Sequence, residues 1–451
     1  MAQRLFGTNG VRGIVNEDMN VQLAMDLGRA IGTFMGGRVA IGNDPRTSAD
    51  MIKSAVSCGL MAAGAEVIDI GMVPTPVVQF HVKDNGLSGG VMITASHNPP
   101  EFNGIKCVDA DGTEMPRQKE EEIERIYFQR SFRSKDWAGV GTLRRATGAV
   151  DPYLRSVMSL VDADAVRNAG LNAVLDCANG AGSVTAPRLL DDLDVRAVTL
   201  NSNPQGTFPG HPSEPVEAHL QDLISLVKAS GADLGIAHDG DADRTIFVDD
   251  KGRYLYGDRS LAIVAEHMVR ENNGGIVVTP VSSSMAVEDA VKRAGGEVVY
   301  TRVGAPVVAR KMIETGAVFG GEENGGLIFP RHQYCRDGAM TVAKLLEIIA
   351  TEGPLSELVD RIPQYCQDKR KMTCPDERKG TVLSGLVEHY RGERVDTTDG
   401  VKIWFEGGWT LVRPSGTEPL FRIYTEARTE KEAEKRSCDC QAVLESLLEE
   451  P

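Results

Sequence analysis

The chain lacks an apolar run anywhere near the ~18 residues that cross a bilayer, and its start, MAQRLFGTNGVRG, has no signal-peptide core. The first absence excludes a membrane-spanning helix; the second leads us to expect a cytoplasmic protein. Its eight cysteines stand at 58, 107, 177, 335, 366, 374, 438 and 440, with no CxxC pair and no metal-type spacing to the eight histidines, so zinc and dithiol redox sites are excluded. Cys107 is a packed strand thiol by this reading, although it stands close enough to a polar loop to line a site. Basic residues are the minority: 49 Lys and Arg against 64 Asp and Glu give a net charge of −15, which repels nucleic acid and anionic membranes. An anionic substrate would therefore need its own local cluster of cations. No GxxxxGK[ST] occurs, and Gly180-Ala181-Gly182 opens a helix without the third glycine of a dinucleotide fingerprint. Gly86-Leu87-Ser88-Gly89-Gly90 fits GxSxG, but its strand follows the serine instead of preceding it.

What is present is length and ordinary globular composition. The chain has 451 residues, 41% hydrophobic and 25% charged, enough for three or four domains. Strand, polar loop and helix alternate from RVAIGNDPRTS onward, return in NAVLDCANGAGS to IFVDD, and return again in GGIVVTPVSSS to LIFP. This alternation predicts three α/β domains with mixed, mainly parallel sheets, over 1–147, 148–252 and 253–362. From 363 to 451 the text changes to strand candidates VKIWFEG, WTLVRPSG and LFRIYTEA with a closing helix, predicting a smaller C-terminal α+β domain.

Four stretches carry chemistry. In GGVMITASHNPPEFNGIK a buried strand breaks into Thr94, Ser96, His97 and Asn98 before Pro99-Pro100, placing Ser96 on a fixed loop at a strand's carboxyl end, where open α/β sheets bind ligands. Ser96 reads either as a nucleophile or as a capped turn. Next, Asp239, Asp241 and Asp243 alternate in HDGDADR, and three such carboxylates suit one hard cation. Arg244 and Asp250 stand where an EF-hand needs glycine and glutamate, so catalytic Mg²⁺ is favoured over structural Ca²⁺. Arg244 could hold an anion. The third, Gly321 to Gly326 (GEENGG), offers Glu322, Glu323 and Asn324 for hydrogen bonds to hydroxyls or amines, or is a solvated turn. Finally, Arg413, Ser415, Gly416 and Thr417 in RPSGTEP, with Arg422 beyond, have what a phosphate wants, or form a plain β-turn. In FGTNGVRG, Arg12 could reach a phosphate or pair with a carboxylate.

TASHNP, DGDADR, GEENGG and RPSGTEP, in that order and with FGTNGVRG at the start, resemble the α-D-phosphohexomutase superfamily over the whole chain. The likeness extends to its archaeal-type phosphoglucosamine mutase and phosphomannomutase/phosphoglucomutase branches. The resemblance implies four domains around one central cleft. It makes Ser96 a phosphoserine whose phosphate shares Mg²⁺ with Asp239, Asp241 and Asp243, and Arg244 a stabiliser of the transferring group. Lys106 matches a general acid/base candidate, and His97 and Arg12 fall in the catalytic surroundings. Glu322 and Asn324 match the sugar-recognition loop, and Arg413, Ser415, Gly416 and Thr417 match the loop that grips the non-reacting phosphate, with Arg422 nearby. Many relatives end the sugar loop in histidine, where this chain has Gly326.

The expected enzyme interconverts hexose 6-phosphate and hexose 1-phosphate through a sugar 1,6-bisphosphate, with glucosamine phosphate as first choice and mannose or glucose phosphates as the alternative. A metal-dependent sugar phosphatase and a non-catalytic sugar-phosphate sensor are the rivals of other classes. The partner is a small phosphosugar, with neither nucleic acid nor membrane expected and a homodimer left open.

Overall fold

The computed structural model describes residues 4–7, 9–415 and 418–449. In its first sheet, of six strands, Arg38–Asn43 runs parallel to Glu66–Met72 on one side and Gly89–Ile93 on the other. Phe102–Val108 turns back antiparallel on Gly89–Ile93, Val11–Ile14 adds to it, and Leu143–Arg145 closes the opposite edge. Val91, Met92 and Ile93 are wholly buried because helices cover both faces of a parallel strand, which is why the segment reads as an unbroken apolar run.

The second and third sheets retrace this path. Asn172–Asp176 lies parallel to Arg196–Leu200 and Leu234–His238, and Thr245–Asp249 returns antiparallel. Ile276–Pro280 lies parallel to Glu297–Thr301 and Phe319–Gly321, and Leu327–Phe329 returns antiparallel. Residues 94–101, 239–244 and 322–326 are therefore the same turn in three copies, each joining the third parallel strand to its antiparallel return. The second sheet continues to Tyr254–Leu255, past the expected boundary at 252.

The fourth sheet is wholly antiparallel, in the order Cys366–Thr373, Leu420–Ala427, Gly408–Pro414, Val401–Phe405, Arg394–Asp396. Asp376–His389 and Glu430–Glu449 pack against it. Cys366–Thr373 escapes sequence reading because the run Gln367-Asp368-Lys369-Arg370-Lys371 puts polar residues on both faces of an edge strand.

One apolar core joins the first three units, running from Val78 and Met92 through Leu175 and Ile236 to Phe319 and Leu346. The C-terminal unit has its own core around Val412, Phe421 and Leu444, and meets the third unit through Val281, Trp404, Trp409 and Leu411. Among the described residues no helix is long and apolar enough to cross a membrane.

Candidate active site

Ser96 sits in the first of the three turns with φ at 52°, the left-handed region that residues with a side chain seldom enter, and is fully buried. Its neighbours hold it there. The Ser96 amide donates to Thr94 Oγ1 at 2.8 Å, and Thr94 Oγ1 donates to Asp44 Oδ2 at 2.6 Å. Arg46, itself buried, donates to the carbonyls of Ser96, Asn98, Pro99 and Phe102 at 2.6–2.8 Å and to Asp44 at 3.1 Å. Sequence reading passed over Arg46 as part of a polar loop; the usable signal is that Arg38–Asn43 is the parallel neighbour of Gly89–Ile93, so both loops leave the sheet at the same carboxyl end.

The Ser96 hydroxyl donates to Asp239 Oδ2 at 2.8 Å and lies 3.3 Å from His97 Nδ1. Burial, with Arg244 and Arg12 close by, pushes the His97 imidazole down to about 3, so it is neutral at ordinary pH. A neutral ring so placed resists protonation; it can accept a hydrogen bond and adds no charge.

The second turn brings Asp239, Asp241 and Asp243 together, all buried, with one oxygen of each within 4.8 Å of the others. Lys106, from the strand antiparallel to the Ser96 strand, donates to Asp241 Oδ2 at 2.6 Å and to Asp243 Oδ2 at 3.4 Å. Burial opposes charge on Asp241, but Lys106, Thr75 and Arg12 outweigh it and hold that carboxyl below its usual range. Asp239 goes the other way, raised by burial and by the repulsion of Asp241 and Asp243. Burial likewise works against the Lys106 ammonium, yet the two aspartates raise it, so the lysine is charged. Asp241 Oδ1 and Asp243 Oδ1 have no hydrogen-bond donor among the described residues. Buried, unfilled carboxylate oxygens beside a third carboxylate are hard donors, and they fit a divalent cation such as Mg²⁺.

Above this floor opens a cavity of about 400 Å³ lined by Arg12, His97, Arg244, Glu322, Asn324 and Arg336 among others. Arg12 donates to Asn98 Oδ1 at 2.7 Å and to the Ala95 carbonyl at 3.2 Å, so it reaches the Ser96 loop. Arg244 pairs with Asp243 at 3.7 Å. These cations are the local basic cluster that an anionic substrate requires of so acidic a chain. Glu322 and Asn324 come from the third turn; Glu322 Oε1 accepts from the Gly304 amide at 3.0 Å and Oε2 from Arg336 at 3.1 Å. Arg336 and Thr75 are further members that sequence reading missed. Neither stands in a motif, and the partners that reveal them, Asp243 and Asp241, are far away in sequence.

The C-terminal loop is set apart. Arg413 pairs with Asp399 at 2.8 Å and lines a separate cavity of about 190 Å³ together with Glu323, Lys369 and Trp409. Arg422 pairs with Glu418 at 3.2 Å. Ser415 Oγ accepts from the Glu418 amide, and Lys379 donates to the Ser415 and Glu418 carbonyls at 2.7 and 2.8 Å. Gly416 and Thr417 lie outside the described residues. Cys107 is buried in its strand as a packed thiol, its ionisation pushed up by burial.

Comparison with known proteins agrees with this layout. Descriptions of phosphoglucomutase/phosphomannomutase α/β/α domains I, II and III match residues 3–134, 151–252 and 256–365, and that of the C-terminal domain matches 370–439. A phosphoglucomutase/phosphomannomutase of Thermococcus kodakarensis is 44% identical over 95% of this chain and 96% of its own length. A probable phosphoglucosamine mutase of Methanopyrus kandleri is 42% identical over 99% of each chain. The crystal structure of a phosphoglucomutase/phosphomannomutase family protein from Burkholderia thailandensis superposes with a TM-score of 0.87 at 28% identity, covering 98% of this chain and 97% of that one.

Proposed function

The chain belongs to the phosphoglucomutase/phosphomannomutase family and is a phosphohexomutase, and from that premise we propose which residues perform the transfer and on which sugar. Ser96 is the phosphate carrier. Its left-handed backbone, its grip by Arg46 and Thr94, and its hydroxyl aimed at Asp239 are the observations that support the role. Asp239, Asp241 and Asp243 would hold Mg²⁺, which when bound offsets the charge of the phosphoryl oxygens.

In the forward half-reaction a sugar hydroxyl oxygen bonds to the phosphorus of phosphoserine while the bond from phosphorus to Ser96 Oγ breaks, giving a sugar 1,6-bisphosphate. The reverse step, after the sugar has turned around, returns the other phosphate to Ser96. Arg12 and Arg244 line the cavity where the phosphoryl oxygens gather charge, and act by position and electrostatics. The proton leaving the attacking hydroxyl is matched by one gained at Ser96 Oγ; Lys106, held as an ammonium, is the proton donor, and neutral His97, next to Ser96 Oγ, positions that oxygen without adding charge. Glu322 and Asn324 read the sugar. Arg413, Ser415, Gly416, Thr417 and Arg422 grip the far phosphate once the C-terminal domain swings its loop toward the cleft, a step that would first loosen Arg413 from Asp399.

Glucosamine 6-phosphate is the preferred substrate on the strength of a carboxylate in the sugar loop and of relatives such as the M. kandleri protein. One observation favours neutral hexose phosphates instead. Both oxygens of Glu322 are already engaged, one by a guanidinium, which leaves less charge for an amine. Turnover measured side by side on glucosamine, glucose and mannose 6-phosphates decides between them.

The test of the mechanism is Ser96→Ala. Incubated with a sugar 1,6-bisphosphate, the wild type should gain the mass of one phosphoryl group on Ser96, and the variant should gain none and lose mutase turnover entirely. Release of inorganic phosphate that survives in Ser96→Ala would instead identify a phosphatase.

A further inference from the structure

Gly326, the last residue of the third turn, has no conformational reason to be glycine, since it is not among the residues with positive φ. Its reason is space. A Cβ placed there would lie 2.2 Å from Cδ and 2.8 Å from Cγ of Arg336, far inside any real contact, and 3.1 Å from Asn324 Oδ1. The stem of Arg336 passes through the volume that any side chain at 326 would occupy.

What this clearance allows is a guanidinium in an unusual place. Arg336 ends the strand Gln333–Arg336, is 6% exposed, and borders the cleft. One terminal nitrogen donates to Glu322 Oε2 at 3.1 Å, and the other donates to Asp243 Oδ2 at 2.6 Å and stands 3.7 Å from Glu114. A single planar fork thus clasps a carboxylate of the sugar loop and a carboxylate of the acidic triad, which come from two different units of the chain. Lysine would do this less well, because its donors radiate from one nitrogen, whereas the two terminal nitrogens of a guanidinium stand apart and fix both carboxylates relative to one plane.

We propose that Arg336 is a positioning residue that couples the sugar loop to the acidic triad, so that phosphosugar and divalent cation bind with linked affinities, and that Gly326 is the clearance this device requires. The inference rests on the reading of Glu322 as a sugar contact and of the triad as the cation site. Linkage runs both ways: whatever the sugar does to Glu322 is felt at Asp243 through the fork, and the cation's pull on Asp243 is felt at Glu322. Charge gives the direction of a second effect. Arg336 neutralises part of the triad, so its removal strengthens cation binding while leaving Glu322 unoriented and phosphosugar binding weaker.

The experiment measures Mg²⁺ binding by calorimetric titration of the purified protein, with and without saturating glucosamine 6-phosphate or glucose 6-phosphate, for wild type, Arg336→Met, Arg336→Lys and Gly326→Ala. Wild type should show Mg²⁺ affinity changed by roughly fivefold or more when phosphosugar is present. In Arg336→Met that ratio should fall toward one, with Mg²⁺ alone bound several-fold more tightly. Arg336→Lys should keep a near-wild-type Mg²⁺ affinity but still lose the ratio, which separates the fork from its charge. Gly326→Ala approaches the same point from the other side, pushing the stem away with every charge retained, and should also lose the ratio. A wild-type ratio preserved in Arg336→Lys and Gly326→Ala overturns the coupling alone, as does a lowered thermal midpoint with both affinities unmoved. A wild-type protein that binds neither phosphosugar overturns the functional reading itself.

Discussion

Arg46 directs every N–H of its guanidinium inward, three of them to carbonyls of the Ser96 loop, one to the carbonyl of Phe102 where the returning strand begins, and one to Asp44. A loop without regular structure is thereby given the hydrogen-bond partners that a strand or helix would supply. The same grip explains how Ser96 stays in a left-handed conformation that by itself costs about 1 kcal/mol or more. Arg46→Met removes five donors at once, leaving the Ser96 and Asn98 carbonyls, among the described residues, only the long contacts of Ser213 Oγ at 3.4 and 3.5 Å, and takes the cation from the buried carboxylate of Asp44. We expect a loss of about 3–5 kcal/mol in chemical denaturation. The Ser96 hydroxyl would also drift from Asp239, and a shift of about 1 Å is enough to lower turnover by roughly 100-fold. A variant that keeps wild-type turnover would show that the loop is held by something else.

At the scale of elements, the first two turns are pressed together backbone to backbone. A Cβ on Gly240 would meet the Ser96 carbonyl oxygen at 2.5 Å, and the Gly240 carbonyl accepts from the Ala181 amide at 2.9 Å on its other side. Neither neighbour is a flexible side chain that can step aside. Gly240→Ala should therefore pry the Ser96 turn from the acidic turn, lowering turnover by at least an order of magnitude at a stability loss of about 1–3 kcal/mol, read by steady-state kinetics and thermal denaturation in parallel. The turns were legible in the sequence because each is a polar or glycine-rich stretch at the end of an apolar run, and the threefold α/β alternation was legible for the same reason. What joins them was not. Arg46, Thr75 and Arg336 take their meaning from Ser96, Asp241 and Asp243, partners that periodicity and spacing do not reveal. Arg413 could be read as a phosphate ligand from its loop, but its pairing with Asp399 depends on how a neighbouring hairpin folds.

In the whole molecule the C-terminal unit stands outside the core that joins the other three, and a buried lysine marks its seam with the third unit. Lys402 donates to the Val281 carbonyl at 2.6 Å and lies 4.2 Å from the ring centres of Trp404 and Trp409 and 5.0 Å from that of Tyr300. Burial pushes the ammonium down to about 7, although Glu426 and Glu288 pull it up. A lysine whose folded value lies below its unfolded one takes up a proton on unfolding, so its contribution to stability improves as pH rises above 7 and worsens on the way back down. Between pH 7 and pH 9 the wild type should gain roughly 2 kcal/mol at this seam relative to Lys402→Met, seen as a converging or crossing pair of calorimetric midpoints. Parallel midpoints across that range would show that the lysine is charged in the folded protein throughout.

The three matching turns have a consequence for how such an enzyme can change. Each unit keeps its own strands and helices and offers one corner of the chain for rewriting, so in the proposed mechanism carrying phosphate, holding a cation and reading a sugar would fall to separate slots. Separate slots would let a lineage retune sugar preference within 322–326 on its own. Arg336 limits that independence, because it bonds both Glu322 of the third turn and Asp243 of the second, and under the proposed coupling a change in one would be a change in both.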